Sequence, residues 1–290
     1  MKAIQFLILN VTLISISLYS FAQEIPDFYH QIPDIKPKTL LYKVTPQDSL
    51  FVDVYYPTDF KQGDKKPAIV FYFGGGWVNG TRDHFKKQSQ YLASKGMISI
   101  TADYRIQSIH NTTPIEAMQD ARSAMRWVKQ NAESLGIDLE KLAAGGGSAG
   151  GHLAAVTATL DNYDDPNDDL SISTKPKALV LFNPVIDTTP KGYGAEKMGK
   201  DKKKASPARH VKKGLPPTII FHGTADVTVP FENVKRFEQL MIKKGNECVL
   251  IPFEGQAHGF FNYKEGNEKY FEETVKRMET FLREKGYLSK

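Results

Sequence analysis

The sequence predicts an α/β fold: a mostly parallel eight-stranded sheet with helices on both faces and a short lid, one domain over residues 23–290. Three observations carry that expectation. Eight strand-like runs alternate with helix-like segments, the signature of helices packed on a sheet. The later runs are continuously apolar, as in parallel strands covered on both faces. The chain's 290 residues, 41% hydrophobic and 24% charged, suffice for one large buried core.

Residues 1–22 stand apart. Lys2 gives a positive start, an apolar stretch follows from Ile4 to about Leu18, and Ser20 and Ala22 place small residues before Gln23. This pattern predicts a signal peptide cleaved before Gln23, hence an exported, periplasmic or secreted protein. No later apolar stretch is long enough to span a bilayer, so no stable membrane insertion is expected after cleavage.

The strand-like runs are Leu40–Val44, Leu50–Tyr56, Ala68–Phe73, Met97–Ala102, Lys141–Gly145, Ala178–Phe182, Thr218–Phe221 and Cys248–Phe253. The first few lie close together and can pair antiparallel; the later ones are separated by crossover segments that impose parallel pairing. Ala117, Ala121, Met125, Val128 and Ala132 recur at helical steps, predicting a helix over about Ile115–Ser134. Phe271, Val275, Met278 and Leu282 predict another near the end.

Cys248 is the one cysteine, so no internal disulfide forms, and its apolar run makes it a buried strand residue. The formal charge of +5 is mild. Lysines concentrate in Lys197–Lys204, between Gly and Pro, and read as a solvated loop, with attraction of an acidic substrate the second reading. No aromatic interleaving or binding module accompanies them, so nucleic acid is not an expected partner.

The chemistry centres on LAAGGGSAGGH, Leu142–His152. An apolar strand ends in glycines, and from Ala149 the chain reads as a helix. Ser148 therefore sits on a sharp strand-to-helix turn within Gly146-Gly147-Ser148-Ala149-Gly150, the G-x-S-x-G pattern of a nucleophile elbow. The flanking positions must lack bulk because strand and helix crowd together there. A serine needs a base, and the base an orienting carboxylate. Asp226 follows the strand Thr218–Phe221, and His258 follows Cys248–Phe253. Parallel strands place their C-terminal ends on one edge, where Ser148 also emerges. Asp187, after the preceding strand, is the alternative acid. His152 lies one helical turn beyond Ser148 and is expected to line or support the elbow; His222 is expected to be a structural hydrogen-bonder. His84, His110 and His210 have no acidic or cysteine partners at ligand spacing, so neither metal nor cofactor is expected. The run FYFGGGW, Phe71–Trp77, places three glycines directly after a strand, where their N–H groups, joined by that of Ala149, can face a developing oxyanion.

With those residues in place the chain resembles the hormone-sensitive-lipase-like bacterial esterases of the α/β-hydrolase superfamily. The resemblance runs through FGGGW, TADYR (Thr101–Arg105), the helix Gln119–Asp138, GGSAGGHLA, HGTAD and AHGF, in family order. It implies that Gly75, Gly76 and Ala149 form the oxyanion hole. Two positions depart: Phe73 stands where the family usually has histidine, and Gly147 where it often has aspartate. The variants resemble exported acetyl-xylan-type and feruloyl-type carbohydrate esterases.

The resulting expectation is an exported serine carboxylesterase with Ser148, His258 and Asp226 as its triad, hydrolysing short-chain, acetyl-type esters on plant or algal polysaccharides. Its partner is a small acyl ester or acylated carbohydrate, and Trp77, Tyr104 and Tyr193 are offered as sugar-stacking surfaces. A feruloyl-type esterase, a serine peptidase or amidase, and a non-catalytic binding protein are the alternatives. The insertion from Asp187 to Pro217 and residues 24–40 are the only lid material.

Overall fold

The computed structural model describes residues 27–289. The signal peptide expected over residues 1–22 lies outside them. Eight strands form one sheet in the order β1-β2-β4-β3-β5-β6-β7-β8. They are β1 Lys38–Val44, β2 Ser49–Tyr55, β3 Lys66–Tyr72, β4 Ile98–Ala102, β5 Ile137–Gly147, β6 Ala178–Phe182, β7 Thr218–Gly223 and β8 Cys248–Phe253. β1 and β2 pair antiparallel, β2 and β4 likewise, and every later pairing is parallel. The helices are α1 Phe28–Gln31, α2 Lys86–Ser94, α3 Gln107–His110, α4 Pro114–Gln130, α5 Ala132–Leu135, α6 Ala149–Thr159, α7 Ala195–Met198, α8 Phe231–Lys243 and α9 Glu268–Glu284.

The pleat sends alternate residues into two cores. From β3, Ala68, Val70 and Tyr72 enter one layer with Ala121 of α4, Leu153 of α6 and Phe237 of α8. Ile69 and Phe71 enter the other, with Leu92 of α2 and Phe271, Val275 and Met278 of α9. Each such large side chain removed from water contributes about 1.5–3 kcal/mol, so the fold needs no disulfide. Cys248 is buried, as its run suggested.

The single helix expected over Ile115–Ser134 is α4 followed by α5. Thr113 and Glu116 form a capping box with Pro114 in the first turn, which sets where α4 starts. Asn131 interrupts the helix, and Gly136, at φ 72°, ends α5 and turns the chain into β5. Arg105 of the TADYR motif grips Asp120 of α4 through two bonds of 2.7 and 2.8 Å, tying the turn after β4 to that helix. Arg122 and Arg126 of α4 bind Asp164, holding the segment after α6 against the fold.

Candidate active site

The elbow is built by exclusion of bulk. Ser148 joins β5 to α6 with φ 53° and ψ −117°, a conformation costly for a side chain and held here by packing on every side. A Cβ on Gly150 would lie 2.0 Å from the Tyr72 carbonyl oxygen and 2.3 Å from that of Phe73. One on Gly146 would lie 2.5 Å from the Gly150 backbone. A Cβ on Gly147 would meet the Phe261 ring at 2.7 Å, so the residue that departs from the family pattern is a glycine for steric reasons. The Ser148 amide donates to the Phe182 carbonyl at the end of β6, locking the turn to the next strand.

Three loops at the C-terminal edge of the sheet bring Ser148, His258 and Asp226 together. His258 Nε2 lies 2.9 Å from Ser148 Oγ, and His258 Nδ1 lies 2.7 Å from Asp226 Oδ2. Asp226 Oδ1 accepts the amides of Thr228 and Val229, each at 2.9 Å, and Oδ2 also lies 3.2 Å from His222 Nε2. Burial alone would raise the Asp226 pKa. Hydrogen bonds from His222, His258 and the Val229 amide outweigh it and hold the carboxyl well below the usual carboxylate range. An ionised Asp226 accepts a hydrogen bond from Nδ1–H, which keeps the ring proton on Nδ1 and leaves Nε2 to accept from Ser148. Asp187, the alternative acid, points elsewhere: it accepts the Thr189 amide and pairs with Arg236.

The loops after β7 and β8 are joined to each other. The amides of Thr224 and Ala225 donate to the carbonyls of Phe253 and Gln256. Gly223 has no room for a Cβ, which would stand 2.1 Å from the Gln256 oxygen. Asn183, buried at the end of β6 with φ 33°, accepts the Gly259 amide at 3.0 Å and so fixes the residue next to His258. Sequence reading missed Asn183; its position directly after a central strand was the available signal.

The glycine loop after β3 lies against the elbow. Gly75 has φ 128° and Gly76 φ 62°, conformations that favour glycine. Among the described residues, the amides of Gly75, Gly76 and Ala149 have no intramolecular acceptor. Phe73 takes the place of the family's histidine by packing: its ring stacks on Tyr104 with centroids 4.0 Å apart, and the Tyr104 hydroxyl donates to the Phe73 carbonyl at 2.8 Å. The polar brace comes from His84, which the sequence did not single out. Its Nδ1 accepts the Gly74 amide at 2.8 Å while Nε2 donates to Asn262 Oδ1 at 2.7 Å. Burial lowers the His84 pKa, against the opposing effect of the Asn262 bond, so the ring is neutral and free to accept.

The residues expected to bind substrate directly are placed differently. Tyr104 is 1% exposed and lies beneath the loop as a brace. Trp77, also 1% exposed, is packed under the segment after β6, edge-on to His152 at 5.2 Å and tilted against Tyr193 at 5.9 Å. Neither offers an open face for a sugar: Phe73 stacks on Tyr104, and the short insertion covers Trp77. His152 is fully buried and donates from Nε2 to the Ala205 carbonyl at 2.8 Å. Burial pushes its pKa down to about 4, so it is a neutral strut between α6 and the insertion. Among the described residues no three His, Cys, Asp or Glu side chains converge on a metal position, and no helix is long and apolar enough to cross a membrane.

A mostly parallel sheet with a serine on the β5–α6 elbow, and an acid and a histidine after β7 and β8, defines an α/β hydrolase. Comparison with known proteins narrows the class. The BD-FAE family model matches residues 52–192, which hold the glycine loop and the elbow. The Dienelactone hydrolase family model matches residues 178–286, which hold Asp226 and His258. The apo form of esterase 2 from Thermogutta terrifontis superposes with a TM-score of 0.85 at 44% identity, covering 90% of this chain and 98% of that one. Carboxylesterase NlhH of Mycobacterium tuberculosis is 29% identical over 234 residues, 73% of this chain and 71% of its own length. Esterase LipC of the same organism is 27% identical over 225 residues, 67% of this chain; the chain spans 53% of LipC, about half its length. The chain belongs to the α/β-hydrolase esterases, which are carboxylic ester hydrolases.

Proposed function

We propose that this protein is an exported serine carboxylesterase that removes short acyl groups, acetyl foremost, from acylated carbohydrates. The observation that carries the serine mechanism is the continuous relay from Ser148 Oγ through His258 to Asp226, at 2.9 and 2.7 Å, beside three unpartnered amides. Ser148 attacks the ester carbonyl as His258 Nε2 takes its proton. Asp226 holds the ring's tautomer and stabilises the imidazolium. The oxyanion meets the N–H groups of Gly75, Gly76 and Ala149, the last at the N-terminus of α6. His258 then protonates the departing alcohol, and water, activated by the same imidazole, releases the acid from the acyl-enzyme.

Support for a short acyl group comes from structures of Thermogutta terrifontis esterase 2 with propionate and with butyrate bound. Support for a carbohydrate alcohol is the resemblance in the FGGGW and GGSAGGH motifs and the partly exposed Tyr193 beside the glycine loop. Export rests on the leader pattern of residues 1–22. The test is hydrolysis of p-nitrophenyl esters from acetate to octanoate by the wild type and Ser148→Ala. Activity that declines with chain length and disappears in the variant supports the reading; equal activity in the variant overturns the serine mechanism.

A further inference from the structure

Beside the glycine loop lies a cavity of about 340 Å³ whose wall includes Gly76, Trp77, Gln107, Asn111, Thr112 and Lys197. Gly76 belongs to both places. Its amide is one of the three unpartnered donors, while its carbonyl and the open side of its Cα face Lys197. Lys197 Nζ stands 3.3 Å from the Gly76 oxygen and 2.9 Å from the Tyr193 hydroxyl, and its charge lies 4.8 Å from the Tyr193 ring centroid. An ammonium has three donors, and two are used here. No carboxylate among the described residues pairs with it. Two residues of the same wall, Trp77 and Thr112, each bury a side-chain polar atom, Nε1 and Oγ1, with no hydrogen-bond partner. Such groups, and a half-buried lysine without a counter-ion, are uncommon in a wall that serves packing alone.

The charge of the surroundings has the same sign. The segment Glu196–Lys204 carries Lys197, Lys200, Lys202, Lys203 and Lys204 against Glu196 and Asp201, and the Asp201 carboxylate accepts from Tyr163. The lysine run that reads as a solvated loop in the sequence thus turns one member inward, toward the reacting centre.

We propose that this cavity is an anion subsite, and that the preferred ester carries a carboxylate held by Lys197 next to the oxyanion loop. The proposal rests on the esterase reading above. Because Gly76 separates the subsite from the scissile carbonyl, the carboxylate must lie within a short chain or one sugar ring of the ester. Two sources share that chemistry: a dicarboxylic acyl group, or a uronate ring as the alcohol.

The test compares matched acidic and neutral esters. For the acyl side these are the p-nitrophenyl monoester of glutaric acid and p-nitrophenyl pentanoate; for the alcohol side, acetylated methyl glucuronoside and acetylated methyl glucoside. The wild type is expected to favour the acid in one pair, and the pair that responds names the source. Lys197→Met keeps the stem over Tyr193 and should lower that acid-to-neutral ratio of kcat/KM about tenfold, equivalent to about 1.4 kcal/mol. Lys197→Arg should keep most of the ratio, and Lys200→Met, on the exposed side of the segment, all of it. A ratio insensitive to Lys197→Met overturns the proposal even if both rates fall, because a loosened Gly76 would slow both esters alike. A wild type that disfavours the acid in both pairs overturns it as well. Failure to cleave any ester, acidic or neutral, would instead overturn the esterase reading on which it stands.

Discussion

Replacing Asp226 by Asn changes one atom's chemistry and leaves the shape intact. Oδ1 accepts two backbone amides at 2.9 Å, so the Asn oxygen must occupy that position. Its NH2 group then takes the place of Oδ2, 2.7 Å from His258 Nδ1. A donor there forces Nδ1 to become an acceptor and moves the ring proton to Nε2, where it faces Ser148 Oγ at 2.9 Å. The base is then protonated on the wrong side and cannot take the serine proton. The expected loss in kcat on p-nitrophenyl acetate is about 10⁴-fold, or about 5 kcal/mol, with KM nearly unchanged. Stability should fall by about 1.5–3 kcal/mol at neutral pH as charge-assisted hydrogen bonds are weakened. The sign of the pH dependence follows from the lowered pKa of Asp226 in the fold: its stabilisation is present above the unfolded value of about 4 and is lost as pH falls through the folded one. The stability gap between wild type and variant, measured by urea unfolding, should therefore narrow as the medium is acidified below about pH 4. A loss in kcat below tenfold, with the fold intact, would refute the assignment of Asp226 as the group that sets the tautomer.

Gly150→Ala would drive a Cβ to 2.0 Å from the Tyr72 oxygen, a backbone atom that cannot give way, and should cost about 3 kcal/mol or more in urea unfolding; retention within 1 kcal/mol would show that the elbow is looser than described. His84→Ala removes the acceptor for the Gly74 amide and should lower kcat about tenfold, below the hundredfold or more lost with an outright oxyanion donor. His84→Gln, which can still accept, should recover part of that loss, and no difference between the two variants would make His84 a packing residue only. Cys248 is buried and its thiol is pushed far up by desolvation, so a disulfide reagent should label it only after unfolding. Labelling at neutral pH under native conditions would contradict the packing of β8.

The sheet and the triad were legible because both depend on local pattern. Short apolar runs such as Ala178–Phe182 read as strands buried on two faces, and β6 is that strand. Ser148, Asp226 and His258 each follow a strand end, and parallel pairing carries all three to one edge. The braces were not legible, because they are contacts between distant segments of ordinary composition. His84 meets Gly74 and Asn262, 178 residues beyond it, through a fold in which no motif marks His84 or Asn262. Trp77 and Tyr104 were expected in the site because aromatic residues beside a catalytic loop suggest a ligand platform. Both are instead consumed by packing, Tyr104 beneath Phe73 and Trp77 beneath the insertion that also brings Lys197 to Gly76. Burial of Trp77 is decided by what covers it, and the cover comes from more than a hundred residues further along the chain.

The central claim is that Ser148 is the activated nucleophile, and covalent trapping tests it most directly. Incubation with an aryl dialkyl phosphate should place one phosphoryl group on the peptide containing Ser148, seen by mass spectrometry. Esterase activity should fall in proportion to labelling, with no adduct in Ser148→Ala. An adduct on another residue, or full activity in a fully labelled protein, would contradict the account.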